Sequence, residues 1–175
     1  MRMTTLTLPD RSEAAEYYFT YIDQAPHGVD IREVLEHQLT ETIAFFNSIS
    51  EEKSLHRYAP DKWSIREVVS HLSDAERLFT FRAMWFARGF DSPLPSFDQE
   101  VAIRGARADT RQWKELIEEF RTVRGASTSF FSSVPDDAWD RRGIASGYSF
   151  TVRALAYITT GHTAHHVNIL RQRYL

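Results

Sequence analysis

The chain has 175 residues, of which 42% are apolar and 26% charged, with a formal net charge of -3 and no cysteine. That length suits one domain with its own core, while the missing cysteine excludes disulfides, thiolate metal sites and a cysteine nucleophile. No window holds the ~18 apolar residues of a membrane span, no basic run exceeds Arg141-Arg142, which argues against a nucleic-acid face, and no basic stretch precedes an apolar run as in a secretory leader, so a cytoplasmic protein is expected.

Strict apolar-polar alternation is absent and no repeat is found, so the periodicity points to helices. After an aromatic segment from Glu13 to Tyr21, a short helix or pinned arm, the first helix is predicted over about 30–50. Asp30 and Glu33 mark its start, and Val34, Leu35, Gln38, Thr42, Phe45, Phe46 and Ile49 form its stripe. The second is predicted over 64–89. Ser64 and Glu67 have the spacing of a capping box, and Gly89 suits the end. Its inward stripe is Val68, His71, Leu72, Ala75, Leu78, Phe79 and Phe86.

Residues 90–110 read as a long loop, broken by Pro93, Pro95 and Gly105. Loops of this length in compact domains are often functional, and Phe97-Asp98-Gln99 is a candidate for lining a pocket mouth. The third helix spans about 110–134, with Trp113, Leu116, Ile117, Phe120, Val123, Phe130 and Phe131 apolar, and Pro135 stops it. A linker follows over 136–147. The fourth helix is predicted over 149–173. Its stripe of Val152, Leu155, Ile158 or Thr159, His162, His166, Ile169 and Leu170 carries two histidines where aliphatic residues are expected. The fold class is all-α, a single four-helix bundle domain.

His162 and His166 stand four apart, so both imidazoles share one helix face. Neutral imidazoles ligate zinc, nickel, copper or iron, and three protein ligands with one open position make a catalytic metal site. His71, on the inner stripe of another helix, is the candidate third ligand. This is not the H-E-x-x-H motif, because Thr163 stands where that motif has glutamate.

Other residues carry weaker expectations. Asp74, three residues after His71, is a candidate proton acceptor or orienting partner. Glu76 points elsewhere and is expected to meet another helix, with Arg153 as a candidate partner. His165 reads as a rim residue, and His27, His37 and His56 receive no role. Trp63, Trp85, Trp113 and Trp139 read as packing anchors.

The run from Lys62 to Leu72, with Glu76-Arg77 and Arg82 after it, resembles one signature of the DinB/YfiT-like superfamily. The run from Arg153 to His162, closing with His165-His166 and Ile169-Leu170-Arg171, resembles the other. Pro93-Leu94-Pro95 with Phe97-Asp98-Gln99 is similar to the loop of one branch. The resemblance implies an up-down-down-up helix order, a homodimer, and His71, His162 and His166 as ligands of one divalent metal ion, nickel or zinc. It also implies a small-molecule substrate and a low-molecular-weight thiol as co-substrate, with the metal holding the thiol as thiolate.

Three functional classes follow. The first is a metal-dependent thiol S-transferase. The second is a metal-dependent hydrolase using metal-bound water. The third is a non-catalytic bundle with a structural metal.

Overall fold

The structure, a computed structural model, describes residues 6–175; the expectation that no leader is present falls partly on residues 1–5, outside them. The order of elements is α1 (Phe19–Ile22), α2 (Ile31–Asn47), α3 (Ile65–Ala87), α4 (Gln99–Ala106), α5 (Trp113–Ser132), β1 (Arg142–Ala145), β2 (Tyr148–Thr151) and α6 (Val152–Ile169). The last helix continues as a π-turn over Leu170–Tyr174. Among the described residues, no helix is long and apolar enough to cross a membrane.

Local chemistry sets the helix ends. Ser64 and Glu67 close the expected capping box: the Glu67 N–H donates to Ser64 Oγ at 3.0 Å, and the Ser64 N–H donates to Glu67 Oε2 at 2.9 Å. Each bond satisfies a backbone donor that the first helical turn leaves free. Gly89, just past the C-cap of α3, has φ +82°, the left-handed conformation that only glycine adopts cheaply.

Side-chain pairings give the helix order. Arg66 bonds the Arg111 carbonyl, Arg77 meets Glu119 and Thr80 meets Ser127, so α3 and α5 run parallel. Trp63 meets Tyr174, and Phe79 packs on His162, so α3 and α6 are antiparallel. Gln38 bonds the Thr160 carbonyl and Arg171 stacks on Phe45, so α2 runs with α6. The bundle is therefore up-down-down-up, with α2 packed on α5 and α6.

Its interior falls into two apolar clusters. One contains Leu35, Ala75, Phe79, Phe131, Leu155 and Ile158. The other contains Phe46, Val68, Leu72, Phe120, Val167 and Leu170. Between them lies a polar layer to which each long helix contributes: Gln38 from α2, His71 and Glu76 from α3, Arg124 from α5, and His162, Thr163 and His166 from α6.

The structure corrects the sequence reading in three places. Residues 90–110 are not all loop. Asp98 accepts N–H bonds from Glu100 (2.9 Å) and Val101 (3.1 Å) and starts α4. The segment before it is pinned to the hairpin, with Leu94 N–H donating to the Ile144 carbonyl at 2.9 Å. The 136–147 linker and the first residues assigned to the fourth helix instead form an antiparallel β1–β2 hairpin, Arg142 opposite Thr151. Its two turn residues, Ser146 and Gly147, both have positive φ (53° and 81°), as a primed hairpin turn requires. The strands are too short to carry an alternating pattern. Thirdly, Glu76 meets Arg124 and not Arg153. Arg153 pairs with Glu13, anchoring the N-terminal arm.

Of the four tryptophans, Trp113 and Trp139 are buried. Trp85 is only half-buried and stacks on Phe90 at 4.1 Å between ring centres. Trp63 lies against the His71 ring at 4.9 Å.

Candidate metal centre

The three histidines that the helical stripes single out meet in the polar layer. His71 Nε2 and His162 Nε2 are 3.1 Å apart, and a ligand nitrogen from each of the three rings lies within 4.8 Å of the others. Helix geometry explains the convergence. The i, i+4 spacing stacks His162 and His166 on the face of α6 that packs on α3, and their ring centres are 4.6 Å apart. His71 faces both, at 5.0 Å from each ring centre.

Burial decides their charge. Removal from water pushes the His71 imidazole down to about 4 and that of His166 to about 3, with nearby imidazoles adding to the effect at His166. His162, the most enclosed, is held well below the ordinary value by burial first, then by His166 and its other neighbours. Near neutral pH all three rings are uncharged, the form in which imidazole ligates a metal. Two nitrogens each ~2.1 Å from one tetrahedral ion stand roughly 3.4 Å apart. The spacing and chemistry of this donor set therefore fit a single divalent transition-metal ion.

Two cavities flank the cluster. One, of about 150 Å³, reaches His71 and His162 and is bordered by Tyr18, Tyr21, Arg82, Phe97 and Gln99. The other, of about 260 Å³, reaches His166 past Trp63, Glu100 and Tyr174. Gln99 and Glu100, consecutive at the start of α4, thus border different cavities. Phe97 and Gln99 stand at the cavity edge as expected of that segment, whereas Asp98 serves α4 as its N-cap. A larger hollow, about 700 Å³ along α2, borders none of the three histidines.

Asp74 does not join them. Its i+3 offset turns it toward α5, where it bonds Arg77 at 3.2 Å, and it borders neither flanking cavity. Burial raises its pKa above the ordinary carboxylate value, with Arg77 opposing and Glu119 reinforcing the shift. His165 is half-buried at the rim, its Nδ1 3.3 Å from Gln24 Nε2.

Sequence reasoning missed two groups. The first is the tyrosine set of the N-terminal arm. Tyr21 presents its ring edge-on to both His162 and His165, and its hydroxyl is 2.9 Å from that of Tyr17. Gly161 permits this approach, since a Cβ there would lie 2.0 Å from the Tyr21 carbonyl oxygen. The second is the buried network beside the histidines. Arg124 donates to Glu76 Oε1 (2.5 Å), Gln38 Oε1 (2.7 Å) and Thr163 Oγ1 (2.9 Å), while Gln38 Nε2 donates to the Thr160 carbonyl at 3.0 Å. It grips α6 on both sides of His162. The usable signal was Gln38 on a mostly apolar stripe.

Comparison with known proteins agrees with this architecture. No curated protein matches the chain. Among solved structures, YfiT from Bacillus subtilis, described as a probable metal-dependent hydrolase with an unusual four-helix bundle topology, superposes with a TM-score of 0.68 at 16% identity, over 97% of this chain and 94% of that one. The model of the DinB superfamily matches residues 34–170, a span that includes most of α2 and all of α3, α5 and α6, with all three histidines. With that match over most of its length, the chain belongs to the DinB superfamily.

Proposed function

We propose that this protein is a metal-dependent enzyme acting on a small molecule, with His71, His162 and His166 as the ligands of one divalent transition-metal ion, nickel or zinc. The observation that carries the reading is the convergence of three neutral, largely buried imidazoles at the wall of two cavities. Three protein ligands leave a coordination position for a reactant, the pattern of catalytic rather than structural sites. When bound, the metal supplies Lewis acidity that lowers the pKa of a thiol or of water.

Among the chemistries this allows, transfer of a low-molecular-weight thiol is favoured. No carboxylate borders the cavity at His71 and His162, so no residue there is placed as general base, and a thiol needs less help to ionise than water does. Hydrolysis is the second reading. Glu100 and Asp61 border the cavity at His166, and YfiT is described in those terms.

Elemental analysis of the purified protein and of His71→Ala, His162→Ala and His166→Ala tests the metal. One equivalent in the parent and loss in each variant is expected; full retention in a variant removes that residue from the site. Turnover of a model electrophile with glutathione, bacillithiol or mycothiol, set against ester and amide hydrolysis without thiol, separates the two chemistries. Activity no higher than in His71→Ala in every assay would overturn both.

A further inference from the structure

The stripe of α3 that carries His71 continues down the same face. Ala75, Leu78 and Arg82 follow at i+4, i+7 and i+11, and all three border the 150 Å³ cavity together with His71. Eleven residues make three turns and about 20°, so Arg82 lies nearly in line with His71, roughly 16 Å further along the axis. Long side chains on a helix lean toward its N-terminus, which here is the direction of the histidines.

Arg82 differs from the other buried arginines of the bundle. Arg124 faces Glu76, Arg66 faces Glu51 and Arg32 faces Asp30. Arg82 is 2% exposed, yet no carboxylate among the described residues lies within ion-pair distance of it. Its Nη2 donates to the Pro95 carbonyl (3.1 Å) and to Ser146 Oγ (2.8 Å), and the Tyr18 hydroxyl is its other polar neighbour. Its buried Nε has no hydrogen-bond partner. A guanidinium keeps its proton in proteins, and a buried charge held only by neutral dipoles is unfavourable. An anion entering the cavity would remove that cost.

The surroundings suit such a ligand. Tyr17, Tyr18 and Tyr21 border the cavity, as do the apolar Ala75, Leu78 and Phe79. The Tyr17–Tyr21 pair uses one of its two hydroxyl protons internally, which leaves the other to donate. About 150 Å³ is small beside the ~300–1,000 Å³ of ordinary ligand pockets and admits only a short chain.

We propose that Arg82, with the tyrosines of the N-terminal arm, forms an anion subsite that holds the carboxylate of a short-chain substrate while the substrate's other end faces His71 and His162. The second half rests on the metal-enzyme reading; the anion subsite itself stands on Arg82 and its cavity. This makes Arg82 a specificity-determining residue and names the substrate class as short carboxylic acids.

Calorimetric titration of the full chain with butyrate and with its neutral counterpart butyramide, in metal-free and zinc-loaded forms, tests this. Butyrate is expected to bind about 10-fold or more tightly than butyramide in both forms, the increment of a charge-assisted hydrogen bond. Arg82→Gln should abolish the preference and Arg82→Lys should keep part of it, with circular dichroism confirming the fold. Gln99→Trp, a change at an exposed position on α4, should block the cavity without disturbing the core and weaken butyrate about 10-fold. Equal affinity for the two ligands would overturn the subsite, as would a preference that survives Arg82→Gln or Gln99→Trp. A preference confined to the zinc-loaded form would assign the carboxylate to the metal, sinking the subsite while supporting the metal centre. A preference without any metal binding would keep the subsite and sink the enzyme reading.

Discussion

His71 and His162, 91 positions apart in the chain, bring their Nε2 atoms to 3.1 Å in a layer between two apolar clusters. Two neutral imidazoles at that distance share one proton between two lone pairs, whereas a cation uses both lone pairs.

A metal that binds the native site and not the unfolded chain raises stability by mass action. Zinc or nickel at about 1,000 times its dissociation constant is expected to add roughly 4 kcal/mol. Thermal melting with and without metal reads this as a higher Tm. The increase should vanish in His162→Ala; a variant that still gains the full shift would place the metal elsewhere.

The Arg124–Glu76 pair is buried from both sides, at 0% and 2% side-chain exposure. Arg124→Met leaves the Glu76 carboxylate buried without its main partner, and a loss of about 3–5 kcal/mol is expected. Changing both, Arg124→Met with Glu76→Leu, should recover most of that loss, because a well-packed apolar pair often matches a buried ion pair. Urea unfolding of the three variants checks the sign of the coupling. The same network bonds Thr163 and the Thr160 carbonyl, so Arg124→Met should also weaken metal binding by about 10-fold or more.

Gly161 and Gly125 offer a paired test of helix glycines. At Gly161 a new Cβ would sit 2.0 Å from backbone, the Tyr21 carbonyl, whereas at Gly125 on α5 nothing lies within 4 Å. Gly125→Ala is expected to stabilise by about 0.5–1 kcal/mol through helix propensity. Gly161→Ala should destabilise by about 1–3 kcal/mol, as overpacking does. It should also increase proteolysis of the N-terminal arm that carries Tyr17, Tyr18 and Tyr21. Equal effects at the two sites would contradict the close approach.

Glu13 ties that arm to the start of α6, accepting from Arg153 at 2.6 and 3.0 Å and from Thr151 Oγ1 at 2.8 Å. Burial alone would push its pKa up, but the bonds from Arg153, the Asp10 backbone and Thr151 outweigh burial and hold it below the ordinary 4.5. A carboxylate with a depressed native pKa contributes stability that is fully present above its unfolded value. That contribution is lost as pH falls through the native one. Unfolding free energy should therefore drop on acidification below about pH 4.5, and Glu13→Gln should flatten that part of the profile. An unchanged acid limb in Glu13→Gln would remove Glu13 as its source.

The bundle and the three ligand candidates were legible because both rest on helical period. A histidine on an apolar stripe stands out at any depth of burial, and the i, i+4 pair needs no tertiary information to converge. Arg82 obeys the same logic on the same stripe, but a charge near a helix end is easily taken for a solvated one. The direction of Asp74 was not legible, because i+3 lies on the other side of His71 from the packing direction of α6, a direction that only tertiary contacts reveal. The hairpin and α4 escaped because their signals are short. Four-residue strands carry no periodicity, and the cap at Asp98 was masked by Pro93, Pro95 and Gly105. The helix order came from the family resemblance and not from helical period, which says nothing of direction: α3 and α5 run parallel, as the long connection between them permits.

The polar layer divides the interior into two hydrophobic halves, each drawn from all four long helices. Most of the apolar burial that holds the scaffold together lies above or below the histidines, not around them. Ligand and cavity residues can therefore be exchanged, one chemistry for another, without dismantling either half. An architecture of this kind separates the durability of the frame from the identity of the reaction, so that reactivity becomes the part most open to change.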